Sequence, residues 1–373
     1  MKSSVDSLGT AMSAAVVTVL MGCGGLSQPP ELGNWKSMAA GPFIFSRACA
    51  VWTGTEMVAW GEGDIGCNKL PAGTPCQIGG RYDPVIDKWK DMASAPSEGR
   101  RNMSAIWTGR EMLIWSGECN GGAGNICDGG AAYDPALDHW RAINDANAPL
   151  PRGKFVSVWT GNRMIVWGGR GADQVARNDG AAYDPEMDQW SPISANGAPS
   201  PRYEAVSAWT GKKLLIWGGI SFLEYFTDGA SYDAVTDKWT AMSAAGAPSG
   251  RLFSATAWTG TELVVWGGLA DQGSLNDGSA YNPETDTWRP IAPAPNPPPK
   301  GSFVWTGTEL VVWGLPGSRY SPATNTWSAM GTEGQPSLDR SLNVSLWTGK
   351  EMITWGGTNH PSTVLNDGAR YTP

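Results

Sequence analysis

The stretch Trp258–Trp288 reads WTGTELVVWGG, runs through a short variable loop, and closes with NDGSAYNPETDTW. Two of its tryptophans stand eight residues apart around a Thr-Gly pair, and a third stands seven residues after a tyrosine. Working outward, the paired tryptophans recur at Trp52/Trp60, Trp107/Trp115, Trp159/Trp167, Trp209/Trp217, Trp305/Trp313 and Trp347/Trp355. The third kind recurs at Trp35, Trp89, Trp140, Trp190, Trp239 and Trp327, so the units absorb all 21 tryptophans. A chain of 373 residues suggests two or three domains by length. A repeat period of 42–55 residues overrides that expectation, because each unit buries its apolar face only against its neighbours.

Inside a unit, a two-residue turn such as Gly54-Thr55, with glycine first, suits a type II′ hairpin. The flanking runs Ser254–Trp258 and Leu263–Trp266 read as strands buried on both faces. The segment Asp134-Pro135-Ala136-Leu137-Asp138 reads as a turn, since proline presets φ and aspartate oxygens accept nearby backbone N–H groups. Each unit is therefore predicted to be four antiparallel strands, a to d. Gly33–Met38 reads as the tail of a unit whose beginning is missing, and the unit begun at Trp347 stops at Pro373 without that tail. The pattern predicts an all-β ring in which the strand bearing Trp35 completes the C-terminal unit.

The glycine pairs Gly168-Gly169, Gly218-Gly219, Gly267-Gly268 and Gly356-Gly357, with the strand-c tyrosine and the strand-d tryptophan, resemble the kelch repeat of β-propellers. The resemblance covers about residues 33–373 and implies a seven-bladed kelch-type propeller. Trp-Thr-Gly at the a–b turn and tryptophan before the glycine pair depart from the usual kelch pattern, which makes the chain look like a bacterial, secreted variant. Kelch propellers host binding modules and also a sugar mutarotase, which uses Arg and Glu side chains at the propeller mouth. A copper oxidase of the galactose-oxidase type shares the fold, but needs two histidines with tyrosines at the axis. This chain has only His139, in strand d, and His360, in the last b–c loop.

Residues 1–23 read as a signal peptide: Ala11–Met21 is apolar, and Leu20-Met21-Gly22-Cys23 resembles a lipobox with Cys23 as the lipidated residue. A plain secretory signal is the alternative. Residues 24–32 read as a linker and 33–373 as the propeller. A net charge of −8 and a pI near 4.9 argue against a nucleic-acid partner. No apolar run reaches spanning length, so the expected membrane contact is the lipid anchor at the bacterial envelope. Cys67/Cys76 and Cys119/Cys127 sit in corresponding loops and are expected to form two disulfides in an oxidising compartment, with a zinc site as the rival reading. Cys49 reads as a buried thiol.

Three features of the sequence bear on function. The tryptophans all occupy framework positions, which assigns them to packing rather than to carbohydrate stacking. Twelve residues after each strand-d tryptophan stands Arg47, Arg101, Arg152, Arg202, Arg251 or Lys300, with Arg340 thirteen after. Asp128, Asp179, Asp228, Asp277 and Asp367 open strand c on the same face. These read either as Arg–Asp ties within a blade or as an arginine-lined mouth for an anion. The b–c loop of unit 4, with Phe222, Glu224, Tyr225 and Phe226, is aromatic where its counterparts are polar, and Tyr203, Glu204 and Phe253 fall on the same face. Arg152, Arg202, Tyr203, Glu204, Phe222, Glu224, Tyr225, Phe226, Arg251 and Phe253 are therefore the candidate ligand residues. No catalytic, metal or cofactor motif is read. The expected function is a monomeric, non-catalytic module that binds a protein or carbohydrate on the face of the b–c and d–a loops. The alternative is a carbohydrate-active enzyme using Arg and Glu there.

Overall fold

The structure is a computed structural model that describes residues 32–42, 47–62, 77–97, 99–119, 124–295, 302–314, 317–337, 340–359 and 363–373. Among these residues there is no helix, and seven four-stranded antiparallel sheets carry the architecture. Sheet 3 is typical, with strands a Val156–Trp159, b Met164–Trp167, c Gly180–Asp184 and d Gln189–Pro192. The a strands of the other sheets in chain order are Cys49–Trp52, Ser104–Trp107, Val206–Trp209, Ala255–Trp258, Ser302–Trp305 and Val344–Trp347. Sheet 7 takes its fourth strand, Asn34–Ser37, from the N-terminal side of the chain, and Trp35 lies opposite Tyr371.

Strand b is buried along its whole length, as in Met112–Trp115 and Leu263–Trp266, because sheets pack against it on both sides. Each boundary between consecutive sheets, and that between sheets 7 and 1, has its own apolar cluster. The strand-b tryptophan of one sheet meets the strand-d tryptophan of the next, as in Trp115–Trp190 at 5.3 Å and Trp167–Trp239 at 5.4 Å between centroids.

Polar staples then register the sheets. The strand-d Trp190 Nε1–H donates to Asn144 O of sheet 2 at 3.0 Å, while Asp188 Oδ1 accepts the Asn144 N–H at 3.0 Å and the Tyr183 hydroxyl at 2.6 Å. The same grip recurs with Trp89 and Asp87 on Ala39, Trp140 and Asp138 on Ala93, and Trp239 and Asp237 on Ser194. Sheet 6 uses Trp327 with Asn325 on Ala292, and Trp35 of sheet 7 donates to Gly331 O. This explains both aspartates of the Asp-Pro-x-x-Asp turn. The first, Asp134, accepts the N–H groups of Ala136 and Leu137, and the second holds the neighbouring sheet.

The regions after strand b, expected as b–c loops, form a second tier. In sheet 4 the glycine pair Gly218-Gly219 has φ of +68° and +87°, a left-handed step open to glycine. It turns the chain into a hairpin, Ile220–Ser221 with Glu224–Tyr225, whose Ile220 bridges Tyr203 before strand a. A Cβ at Gly219 would fall 2.8 Å from Tyr203 O, so close approach also demands glycine there. Sheet 1 has Glu62 where the second glycine would stand, and its strand b runs straight on through Glu62 to pair with Gln77.

Candidate functional site

The segments entering the a strands build a collar. In sheets 1 to 5 and 7 the residues two before the a strand, Arg47, Asn102, Lys154, Glu204, Phe253 and Leu342, all have φ between +51° and +61°. Their backbones link from sheet to sheet: Lys154 N–H donates to Asn102 O at 3.1 Å, Glu204 N–H to Lys154 O at 3.0 Å, and Arg47 N–H to Leu342 O at 3.0 Å. Non-glycine residues held in this region cost on the order of 1 kcal/mol or more each, which the inter-sheet bonds offset. Beneath the collar a cavity of about 610 Å³ runs from Glu204 and Phe253, which precede their a strands, to Trp159, Trp209 and Trp258, which end theirs. Ser207, Thr256 and Phe303 line its wall.

Charge at the collar is paired. Lys154 Nζ meets Glu204 Oε1 at 2.5 Å. Lys154 and the Arg170 guanidinium stand 5.7 Å and 5.1 Å from the centre of the Tyr203 ring, so two cations face one aromatic quadrupole. Tyr225 and Phe226 are half-buried, and Phe226 stacks on the Arg202 guanidinium at 4.1 Å. Tyr225 packs toward Gly250, three residues before Phe253, which braces the sheet 4 hairpin against the entry to sheet 5. Three large apolar side chains are left open to solvent: Phe222 is 83% exposed, Leu223 90% and Phe253 66%. Glu224 is exposed beside them.

The arginines require a correction. Arg152, Arg202 and Arg251, candidates for an anion-binding mouth, are 0%, 0% and 1% exposed. Arg152 donates to Asp179 Oδ1 at 2.8 Å and Oδ2 at 3.0 Å, and to the carbonyls of Gly168 and Leu150. Arg202–Asp228, Arg251–Asp277 and Arg340–Asp367 pair at 2.9, 3.0 and 2.8 Å. Each guanidinium caps the carbonyl at the end of strand b, a peptide group the glycine turn would otherwise leave unsatisfied. Burial acts to raise the Asp179 carboxyl, but the Arg152 hydrogen bonds and charge hold it below the usual carboxylate range. Burial lowers the Arg251 guanidinium. These three arginines thus lie inside the sheets.

The blade 2 member of the set is Arg100, not Arg101. Arg100 is buried and donates to Ser116 O, Gly129 O and Asp128 O at 3.2, 2.7 and 2.8 Å, whereas Arg101 lies beside Glu118 at 3.6 Å. Counting back from the strand-a tryptophan finds it, since Arg100, Arg152, Arg202, Arg251 and Arg340 each stand seven before one. By the same count Arg47 stands five before Trp52 and belongs to the exposed collar with Asn102.

Cys119 and Cys127 form a disulfide within the second-tier loop of sheet 2, with Cα atoms 5.3 Å apart. Cys49 donates to Trp60 O at 3.4 Å, and desolvation pushes its thiol up to about 12. Cys23, Cys67, Cys76, Lys300 and His360 lie outside the described residues.

A family model described as the KLHDC2/KLHL20/DRC7 Kelch-repeats domain matches residues 102–314. No curated protein matches. Among solved structures, a fungal alcohol oxidase of the AA5 family in complex with copper superposes with a TM-score of 0.70 at 14% identity, over 92% of this chain and 76% of that one. At that identity the likeness is one of fold. Among the described residues no three His, Cys, Asp or Glu side chains converge, and His139 is exposed on the outermost strand of sheet 2. The matched family model spans sheets 2 to 5 and the first two strands of sheet 6, more than half of the chain, and on that ground the chain belongs to the kelch-repeat family.

Proposed function

We propose that this protein is a non-catalytic binding module: a closed seven-bladed propeller that holds a protein partner on the face of the second-tier hairpins. Closure is supported by the pairing of Asn34–Ser37 with Gly368–Thr372, and by a strands that contact one another in the cyclic order of sheets 1 to 7 and back to 1. Kelch-repeat domains are protein-interaction scaffolds in general, which fits the family. The observation that carries the reading is the exposure of Phe222, Leu223 and Phe253 on a hairpin and collar braced from below. Scattered exposed leucines are ordinary, but aromatic side chains presented by a rigid scaffold are the usual anchors of interfaces. Export to the bacterial envelope with a lipid on Cys23 belongs to the same proposal, and mass spectrometry of the native N-terminus tests it. Absence of lipid there would sink the anchor.

The module itself is tested by capturing partners from envelope extract with wild type and with Phe222→Ser/Leu223→Ser. Because both side chains are exposed, the double variant should keep its Tm, with stability within about 0.5 kcal/mol of wild type. Loss of one saturable partner by that variant supports the reading. Retention of every partner, or turnover of a sugar on a glycan and sugar-acid panel, overturns it.

A further inference from the structure

Away from the hairpin face, arginines of five sheets seal the outer gap to the next sheet. Arg141, after the strand-d tryptophan of sheet 2, pairs with Glu111 at 2.8 Å and donates to the Tyr183 hydroxyl of sheet 3 at 3.1 Å. Arg289 of sheet 5 does the same with Glu262 at 2.6 Å and Tyr320 at 3.4 Å. In sheets 1, 6 and 7 the arginine comes instead from the residue before the strand-c tyrosine. Arg81 pairs with Glu56 at 3.6 Å, Arg319 with Glu309 at 3.6 Å and Arg370 with Glu351 at 3.3 Å. Arg81 and Arg370 also donate to carbonyls of the next sheet, Pro135 O and Pro84 O.

Sheet 4 departs from this pattern, with Ser231 and Thr240 at the arginine places and Lys213 at the acid's, and sheet 3 likewise breaks the rule at every position. Its two arginine places are Ala182 and Ser191, and the acid's place is Arg163, which turns to Asp184 of its own sheet at 3.4 Å. The receiving end in sheet 4 is nevertheless intact: the Tyr232 hydroxyl donates to Asp237 Oδ1 at 2.7 Å, as Tyr183 does to Asp188. Between the two sheets lies a cavity of about 550 Å³, lined by Ile165, Ala182 and Ser191 on one side and Trp209, Tyr232 and Asp237 on the other.

We infer that this cavity is a binding site for an arginine side chain presented by a partner protein, which takes the place that Arg141 fills one boundary earlier. The apolar wall receives the methylenes, since arginine stems bury well along apolar surface. The Tyr232 oxygen and the Asp237 carboxylate receive the planar guanidinium, which suits paired acceptors better than an ammonium does. Arg163 and Lys212, at the a–b turns, bar the reverse orientation by like charge. The inference rests on residues other than those of the proposed hairpin site, so either can fail without the other.

The test titrates the full chain with N-acetyl-arginine amide, and in parallel with the citrulline and lysine analogues, by calorimetry at millimolar ligand. The arginine probe is expected to saturate at least tenfold more tightly than the neutral citrulline analogue. The second arm uses Arg163→Glu/Ser191→Arg, which rebuilds the arrangement of Glu111 with Arg141. That variant should keep or raise Tm and lose the probe, because its own arginine occupies the cavity. A folded double variant that binds the probe as wild type does overturns the inference, as does equal binding of citrulline or no saturable binding by wild type. Should the double variant fail to fold, Asp237→Asn carries the test, and at least tenfold weaker binding is expected.

Discussion

The boundary between sheets 2 and 3 and the boundary between sheets 3 and 4 are built on the same plan to different ends. Both stack a strand-b tryptophan on a strand-d tryptophan, at 5.3 and 5.4 Å. Both clamp one residue of the preceding sheet between an indole N–H and an aspartate, Asn144 in one case and Ser194 in the other. One then adds the Glu111–Arg141–Tyr183 chain, and the other leaves that space open. The comparison separates what joins two sheets from what fills the space left over. Apolar rings and their staples do the joining, and the arginine is a removable filler.

The most severe way to break the comparison is to remove the shared part. Trp190→Ala and Trp239→Ala should each cost about 3–5 kcal/mol, the range for deleting a buried tryptophan, and should agree within about 1 kcal/mol. Urea denaturation measures this, and a much smaller cost at Trp239 would show the open boundary to be slack. The filler should matter less. Arg141 retains 30% of its side-chain exposure, so solvent screens its pair, and Arg141→Ala should cost about 1 kcal/mol. At the corresponding place in sheet 3, Ser191→Ala should change stability by less than about 0.5 kcal/mol. If both cost the same, the Arg141 pair contributes nothing.

A smaller effect comes from pH. The Tyr133 hydroxyl and Ala93 N–H hold the Asp138 carboxyl below its ordinary value, and Tyr82 and Ala39 do the same for Asp87. For Asp188, burial acts to raise the carboxyl, but Tyr183 and Asn144 N–H lower it further. A carboxyl whose folded value is depressed stabilises the fold above its unfolded value, near pH 4, and that contribution fades as pH falls through the folded value. Tm should therefore decline below about pH 4, with a shallower decline in Asp138→Asn. An unchanged slope in the variant would mean that the staples do not titrate with folding.

Much of the framework was legible because it repeats. The alternation around Thr-Gly, the eight-residue tryptophan spacing and the Tyr-to-Trp spacing each follow from strand geometry and turn chemistry, which act over a few residues. The candidate site was legible only in part. Phe222 and Phe253 stand exposed as their loop positions suggested, whereas the aromatic ring of Phe226 is spent on the Arg202 guanidinium. The second-tier hairpins escaped notice because two-residue strands leave almost no periodic signal. Arg100 was displaced by one because the d–a segments vary in length, and counting forward from strand d carries that variation along.

By itself, then, the sequence determined the four-strand order within each sheet and the burial of the strand-b tryptophans, since local sterics and burial period decide those residue by residue. Only the tertiary structure decided which polar groups are spent and which are open. The acceptors of Arg152 include Asp179, 27 residues on, and Trp239 finds its acceptor 45 residues back. Whether the gap beside Ala182 is filled or open depends on a neighbouring sheet reached only after the chain has turned. Pairing over such distances is set by how sheets pack, and packing leaves no fixed spacing in a chain.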